Sequence, residues 1–260
     1  MTAAAPSLRD PGACVRLQPT GHPPRDVAWG HPWQIGTPAY WIALTHQSRV
    51  HGPHDGEVTR HRLGATLAEE IAACLLGGHG IPHHVGLAAF EAVKSSGALG
   101  AATTRHDIEA VLSEPLRIHS RAVRYRFAVQ RSAYLAEALT RLREEPPPAD
   151  ALNLRQWLLT CRGIGPKTAS WIVRNHLGSN DVAIIDIHVL RAGISAGVFA
   201  AHATAARHYD LLEALFLEWA HHGRVGPADL DSVIWSERAR RPAVYAMLHG
   251  GDRIADAVTQ

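Results

Sequence analysis

The chain has 260 residues, 46% hydrophobic and 19% charged, with a formal charge of +2, the composition of a soluble globular protein long enough to bury a proper core. No apolar run approaches the roughly 18 residues of a membrane span, and the polar, proline-containing start "MTAAAPSLRDPG" lacks a signal-peptide core, so a cytoplasmic protein without a membrane partner is expected. Cys14, Cys74 and Cys161 are too few for the four thiolates of an iron–sulfur cluster and too scattered for zinc. Pairs among the 18 histidines, such as His83–His84 and His221–His222, lack a carboxylate at helical ligand spacing, so no metal site is expected.

Residues 1–26, rich in Pro, Gly, Ala and Arg, are expected to form a loose segment, followed by a helical domain over 27–260. "VAWGHPWQIGTPAYWIALTHQ" (27–47) carries three Trp and one Tyr, and aromatics this dense belong to a packed fold. From Thr66 the spacing of Leu67, Ile71, Cys74 and Leu75 predicts a helix, ended by "GGHGIP" (77–82) and followed by a second through Val85, Ala88, Ala89 and Val93. Further helices are predicted at 105–113, 124–144, 153–160, 167–176, 186–193 and 203–222. "EEPPPAD" (144–150) reads as a proline-stiffened seam between two helical lobes. Only "VAII" (182–185) is β-like, and it is too short to anchor a sheet. The chain is mainly α.

"CRGIGPKTASWIV" (161–173) carries the chemistry. Leu154, Trp157, Leu158 and Cys161 form one face of a short helix, Gly163 and Gly165 allow a tight turn, and Pro166 suits the first turn of the next helix. Ala169, Ile172 and Val173 give that helix its packing face. The pattern over 154–176 resembles the helix–hairpin–helix motif, whose exposed backbone N–H groups seat DNA phosphate without reading bases. The motif supports DNA binding and leaves Lys167 as either a phosphate contact or a nucleophile.

Nineteen residues after Lys167 comes Asp186, in "DVAIIDIHVLRAG" (181–193). An acid before a helix is placed to cap it. Lys167 followed at this interval by "IIDIH" resembles the helix–hairpin–helix DNA glycosylase superfamily, and in particular the compact, all-helical 8-oxoguanine DNA glycosylase/AP lyase branch. "YRFAVQRSAYLAEAL" (125–139) is similar to the helix before the hairpin in that branch, and "LDSVIWSE" (230–237) to its C-terminal helix. The resemblance implies a two-lobed fold with a DNA-binding cleft between the lobes, acting as a monomer on double-stranded DNA containing a modified base. No metal or organic cofactor is implied, and a structural cation at the hairpin is allowed.

In the family the lysine attacks the sugar C1′, displaces the damaged base and forms a Schiff base, after which β-elimination nicks the strand. An amine attacks only in its unprotonated form, which partial burial near a helix N-terminus favours. Lys167 is thereby implied as nucleophile. Asp186 is implied to stabilise positive charge on the sugar and to assist proton transfer. Gly163, Ile164, Gly165, Thr168 and His188 are implied as DNA contacts. The target base must leave the stack; Trp171, one helical turn after Lys167, and Trp235 are candidate pocket walls, and His79 a candidate wedge.

The sequence departs from the branch in three places. The chain runs past the "LD-x-x-x-W" helix where the compact enzymes end, and their C-terminal end helps to recognise oxidised guanine. The aromatic N-terminal segment has no counterpart in the compact branch. "GGHGIP" stands where relatives carry an Asn- or Ser-rich loop. The expected function is therefore a bifunctional glycosylase/AP lyase acting on an 8-oxoguanine-like base. The alternatives are the same chemistry on a bulky base, such as the hypermodified cytosine of phage DNA, or a non-catalytic helix–hairpin–helix DNA-binding module.

Overall fold

The computed structural model describes residues 13–51, 61–78, 80–100 and 103–248. In chain order, strands β1 (Cys14–Leu17) and β2 (Arg25–Ala28) precede helices α1 (Pro38–His51), α2 (Leu67–Leu76), α3 (His83–Ser95) and α4 (Arg105–Ser113). Strands β3 (Leu116–Ile118) and β4 (Arg121–Val123) follow, and then α5 (Ala128–Glu144), α6 (Ala151–Leu159) and α7 (Pro166–Leu177). The chain continues with α8 (Ile187–Ser195), α9 (Ala205–Gly223), α10 (Pro227–Arg240) and α11 (Pro242–Leu248). The described residues fall into two compact units, one built from 13–51 with 180–248 and the other from 61–179.

The expected loose segment is structured from Cys14 onward. Strands β1 and β2 pair antiparallel with Val15 opposite Val27, and Val15, Leu17 and Val27 are buried. Four-residue strands between Pro and Gly carry little local signal, and burial of one apolar face secures the hairpin. In the same unit α1 packs on α9 and α10. A Cβ on Gly223 would lie 2.2 Å from Ile42 Cδ1, so glycine at the end of α9 lets α1 come close. Trp41, Phe216, Trp219, Leu230 and Ile234 fill this core. The β-like run Val182–Ile185 is buried but pairs with no strand among the described residues; it is the extended entry to α8, with Ala183 N–H donating to Glu213 Oε1.

The second unit is organised around α2, whose residues from Glu70 to Leu76 are all buried, as expected of a helix surrounded by others. It packs against α3, α5 and α7. Thr66 caps it by accepting from Glu69 N–H, and Tyr125 Oη donates to the Leu76 carbonyl at its other end. The hairpin β3–β4 fills the stretch between α4 and α5, and the helix expected from 124 begins only at Ala128.

The proline-rich connection at 144–150 is not the seam. It joins α5 to α6 within one unit. Glu145 accepts from both Arg141 Nε and Trp157 Nε1, and Asp150 caps α6 through Asn153 N–H. The division falls instead after α7, where Gly178 ends the helix at φ +66°, the left-handed cap that glycine provides.

Candidate active site

The hairpin is α6, a six-residue linker (160–165) and α7. Gly163 and Gly165 are there for different reasons. Gly163 has φ +83°, and a Cβ on it would lie 2.1 Å from Tyr134 Cδ2, so both backbone angle and space demand glycine. Gly165 is extended, with φ −92°, and nothing lies within 4 Å of where its Cβ would be. The fold does not require glycine at 165, which leaves the approach to the start of α7 open. Ile164 is buried and pins the turn from inside. A buried bond from Arg155 Nε to Ser170 Oγ, 3.0 Å, locks α6 to α7.

Lys167 is the second residue of α7 and is half-buried. Among the described residues its ammonium group has no hydrogen bond or ion pair. The chain contains just two lysines against 24 arginines, a contrast visible in the sequence that singles out the position. The other, Lys94, is 3.0 Å from Glu69 and lies over the Phe90 ring. Arginine serves as well as lysine, or better, for holding phosphate, whereas only a primary amine forms a Schiff base.

α7 is fixed along α2. Asn175 Nδ2 donates to the buried Glu70, which also accepts from Leu63 and Gly64 N–H. Burial raises the Glu70 carboxyl above its ordinary range, against the pull of those donors. Cys74 of α2 lies within electrostatic reach of Lys167, and burial holds its thiol far above the usual range. It remains a neutral wall. Trp171, one turn on from Lys167, is half-buried, with its ring tip 3.6 Å from where a Gly77 Cβ would be. Lys167 and Trp171 thus share the side of α7 that faces the C-terminal end of α2. Thr168 is half-buried in the first turn of α7.

Asp186 belongs to the other unit. It caps α8, with Oδ1 accepting from Val189 N–H at 2.8 Å, and it is half-buried. His188 is half-buried in the first turn of α8. Trp235 on α10 is 43% exposed, which places it at the surface rather than in the core. His79 lies outside the described residues. One residue absent from the sequence reading is Arg238 on α10, buried and acted on by the charge of Asp186. Nothing local marks it, because arginines are abundant in "SERARR" (236–241). Among the described residues no three His, Cys, Asp or Glu are grouped to hold a metal, and no helix is long and apolar enough to cross a membrane.

The 8-oxoguanine DNA glycosylase model of the Ogg-HhH family matches residues 58–224, which include the hairpin, Lys167 and Asp186. The 8-oxoguanine DNA glycosylase/AP lyase of Saccharolobus islandicus is 32% identical over 133 residues. That match covers 47% of this chain and 63% of the relative, less than two thirds of its length. The 8-oxoguanine DNA glycosylase of Methanocaldococcus jannaschii superposes with a TM-score of 0.53 at 23% identity, over 67% of this chain and 78% of that one. The same archaeon's enzyme in complex with a 15mer DNA containing 8-oxoguanine gives 0.51 at 22%, over 67% and 81%. These likenesses show the helix–hairpin–helix glycosylase fold. The chain belongs to the Ogg-HhH family of 8-oxoguanine DNA glycosylases.

Proposed function

We propose that the protein is a DNA glycosylase with AP lyase activity that excises an 8-oxoguanine-like base from double-stranded DNA, using Lys167 as nucleophile. The observation that carries the reading is Lys167 itself: a half-buried primary amine without a partner among the described residues, at the start of the helix that the hairpin opens. Its unprotonated Nζ forms a bond to C1′ of the extruded nucleotide as the glycosidic bond breaks, and the base leaves with the electron pair and takes up a proton. Nζ loses its proton, and the sugar ring opens to a protonated Schiff base. Removal of a C2′ proton then expels the 3′ phosphate by β-elimination. Asp186 stabilises the cationic sugar and relays protons. The open backbone at Gly165 and the first turn of α7 receive phosphate. The protein works as a monomer, in the cytoplasm and on the chromosome.

Borohydride reduction in the presence of duplex containing 8-oxoguanine or an abasic site tests this reading. Wild-type protein should become covalently trapped, and Lys167→Gln should neither be trapped nor nick while still binding the duplex. Nicking retained by Lys167→Gln together with weakened binding would make Lys167 a phosphate contact and remove the lyase reading.

A further inference from the structure

Arg238 is 7% exposed, yet among the described residues its Nε and Nη1 have no hydrogen-bond partner. Burial, with Arg191 alongside, holds its guanidinium below the ordinary range, and Tyr245 and Asp186 act in the opposite direction. Leaving charged donors unmet in the interior is costly, so the immediate surroundings matter. The Arg238 guanidinium lies 5.1 Å from the centre of the Tyr245 ring. That ring stacks on Trp41 at 5.3 Å and 22°, and its hydroxyl meets that of Tyr40 at 3.1 Å. Trp41 Nε1 also lacks a partner among the described residues. Trp41, Tyr40 and Arg238 therefore bound a flat slot filled by a phenol, whose one oxygen is already engaged with Tyr40.

The occupant comes from a helix whose preceding residues are exposed. On α11, Pro242, Ala243 and Val244 are exposed while Tyr245 is 2% exposed. The joint between α10 and α11 is a single non-helical residue, Arg241 at φ −131° and ψ 53°. Tyr40, Trp41, Arg238 and Tyr245 all lie outside the span 58–224 that matches the family model. Arg238 is in addition acted on by the charge of Asp186, which lies inside it. Segments outside the family span thus add a stacking slot, with spare donors on an arginine that feels the charge of the carboxylate assigned to the reaction.

We infer that this slot is the seat of the base to be excised, a planar heterocycle carrying acceptor oxygens on its edge, and that Tyr245 occupies the seat until the base displaces it. The inference rests on the glycosylase reading above. A base can stack where the phenol stacks, and swinging α11 outward uncovers Arg238 N–H groups for its carbonyl.

The test compares base release from a duplex containing 8-oxoguanine with nicking at a preformed abasic site, which has no base to seat. The ratio of the two single-turnover rates should fall about ten-fold or more in Arg238→Met, the loss of one charge-assisted hydrogen bond. It should rise about three-fold in Tyr245→Ala and less in Tyr245→Phe, which keeps the stack and loses the bond to Tyr40. Ratios that stay constant, or that move the same way in the Arg238 and Tyr245 variants, would make the cluster a structural support and overturn the inference. Amide exchange in α11 of the wild-type chain should quicken on lesion duplex relative to undamaged duplex, and equal or slower exchange would also overturn it. Failure of the glycosylase reading would look different, because the wild-type chain would then neither excise nor nick.

Discussion

Replacing Gly163 with alanine tests how the hairpin is held. Two costs add at this position. A left-handed φ of +83° costs an L-residue about 1–2 kcal/mol. The new Cβ would fall 2.1 Å from Tyr134 Cδ2 and 2.7 Å from Cγ and Cε2, far inside the ~3.5–4.0 Å of carbon contact. The ring cannot simply yield, because Gln130 Nε2 donates to its hydroxyl and the Arg162 guanidinium lies 5.2 Å from its centre. Overpacking of this kind costs about 1–3 kcal/mol. The total, about 2–5 kcal/mol, should appear in urea melts followed by circular dichroism. In the Tyr134→Ala background the steric part disappears, so Gly163→Ala should cost only the backbone share of about 1–2 kcal/mol. A Gly163→Ala variant within about 0.5 kcal/mol of wild type, or strict additivity with Tyr134→Ala, would refute the reasoning. Gly165→Ala provides the contrast: with free space around its Cβ it should fold nearly as well, yet lose about ten-fold in DNA affinity, because the methyl group stands where phosphate meets the backbone.

Asp186→Asn keeps an oxygen for Val189 N–H, so it should match wild-type stability within about 0.5 kcal/mol, while base excision, followed by single-turnover kinetics, falls by about a hundred-fold or more. Asp186→Ala should additionally lose about 1 kcal/mol from the missing cap; equal excision by the Asn variant and wild type would remove the carboxylate from the reaction. Because burial raises the Glu70 carboxyl above 4.5 in the folded protein, its contribution to stability is full below that value and is lost as pH rises through the folded pKa. The stability of wild type relative to Glu70→Gln, from urea melts across this range, should therefore decline with rising pH, and an increase would show that the backbone donors outweigh burial. Thiol labelling of native protein should be rapid at exposed Cys14 only, since Cys74 and Cys161 are buried and their thiols are shifted up by that burial.

Local signals carried much of the helical layout. The helix expected at 105–113 is α4, observed at Arg105–Ser113, and the Gly-Pro boundary marks the start of α7 at Pro166. The hairpins β1–β2 and β3–β4 are not legible in the sequence, because strands of three or four residues hold no periodicity long enough to detect. The seam lies elsewhere than the prolines suggest, because proline stiffness says nothing about the side-chain bonds from Glu145 to Arg141 and Trp157. At the site, Lys167 and the cap Asp186 were legible as residues with positional meaning. Arg238 was not, since its importance comes from burial under Tyr245, more than a helix turn away in sequence, and from the proximity of Asp186. The aromatic run at 27–47 announced packing but not its object, which is now Tyr245 stacked on Trp41.

The central claim is that Lys167 is the amine that reacts. Because Lys94 and Lys167 are the only lysines in the sequence, the location of the reduced adduct is decisive. Protein trapped with borohydride on an abasic duplex, digested with trypsin and analysed by mass spectrometry, should carry the sugar remnant on the peptide spanning residues 163–174, at Lys167. An adduct on Lys94 or at the N terminus, or no adduct at all, would contradict the account.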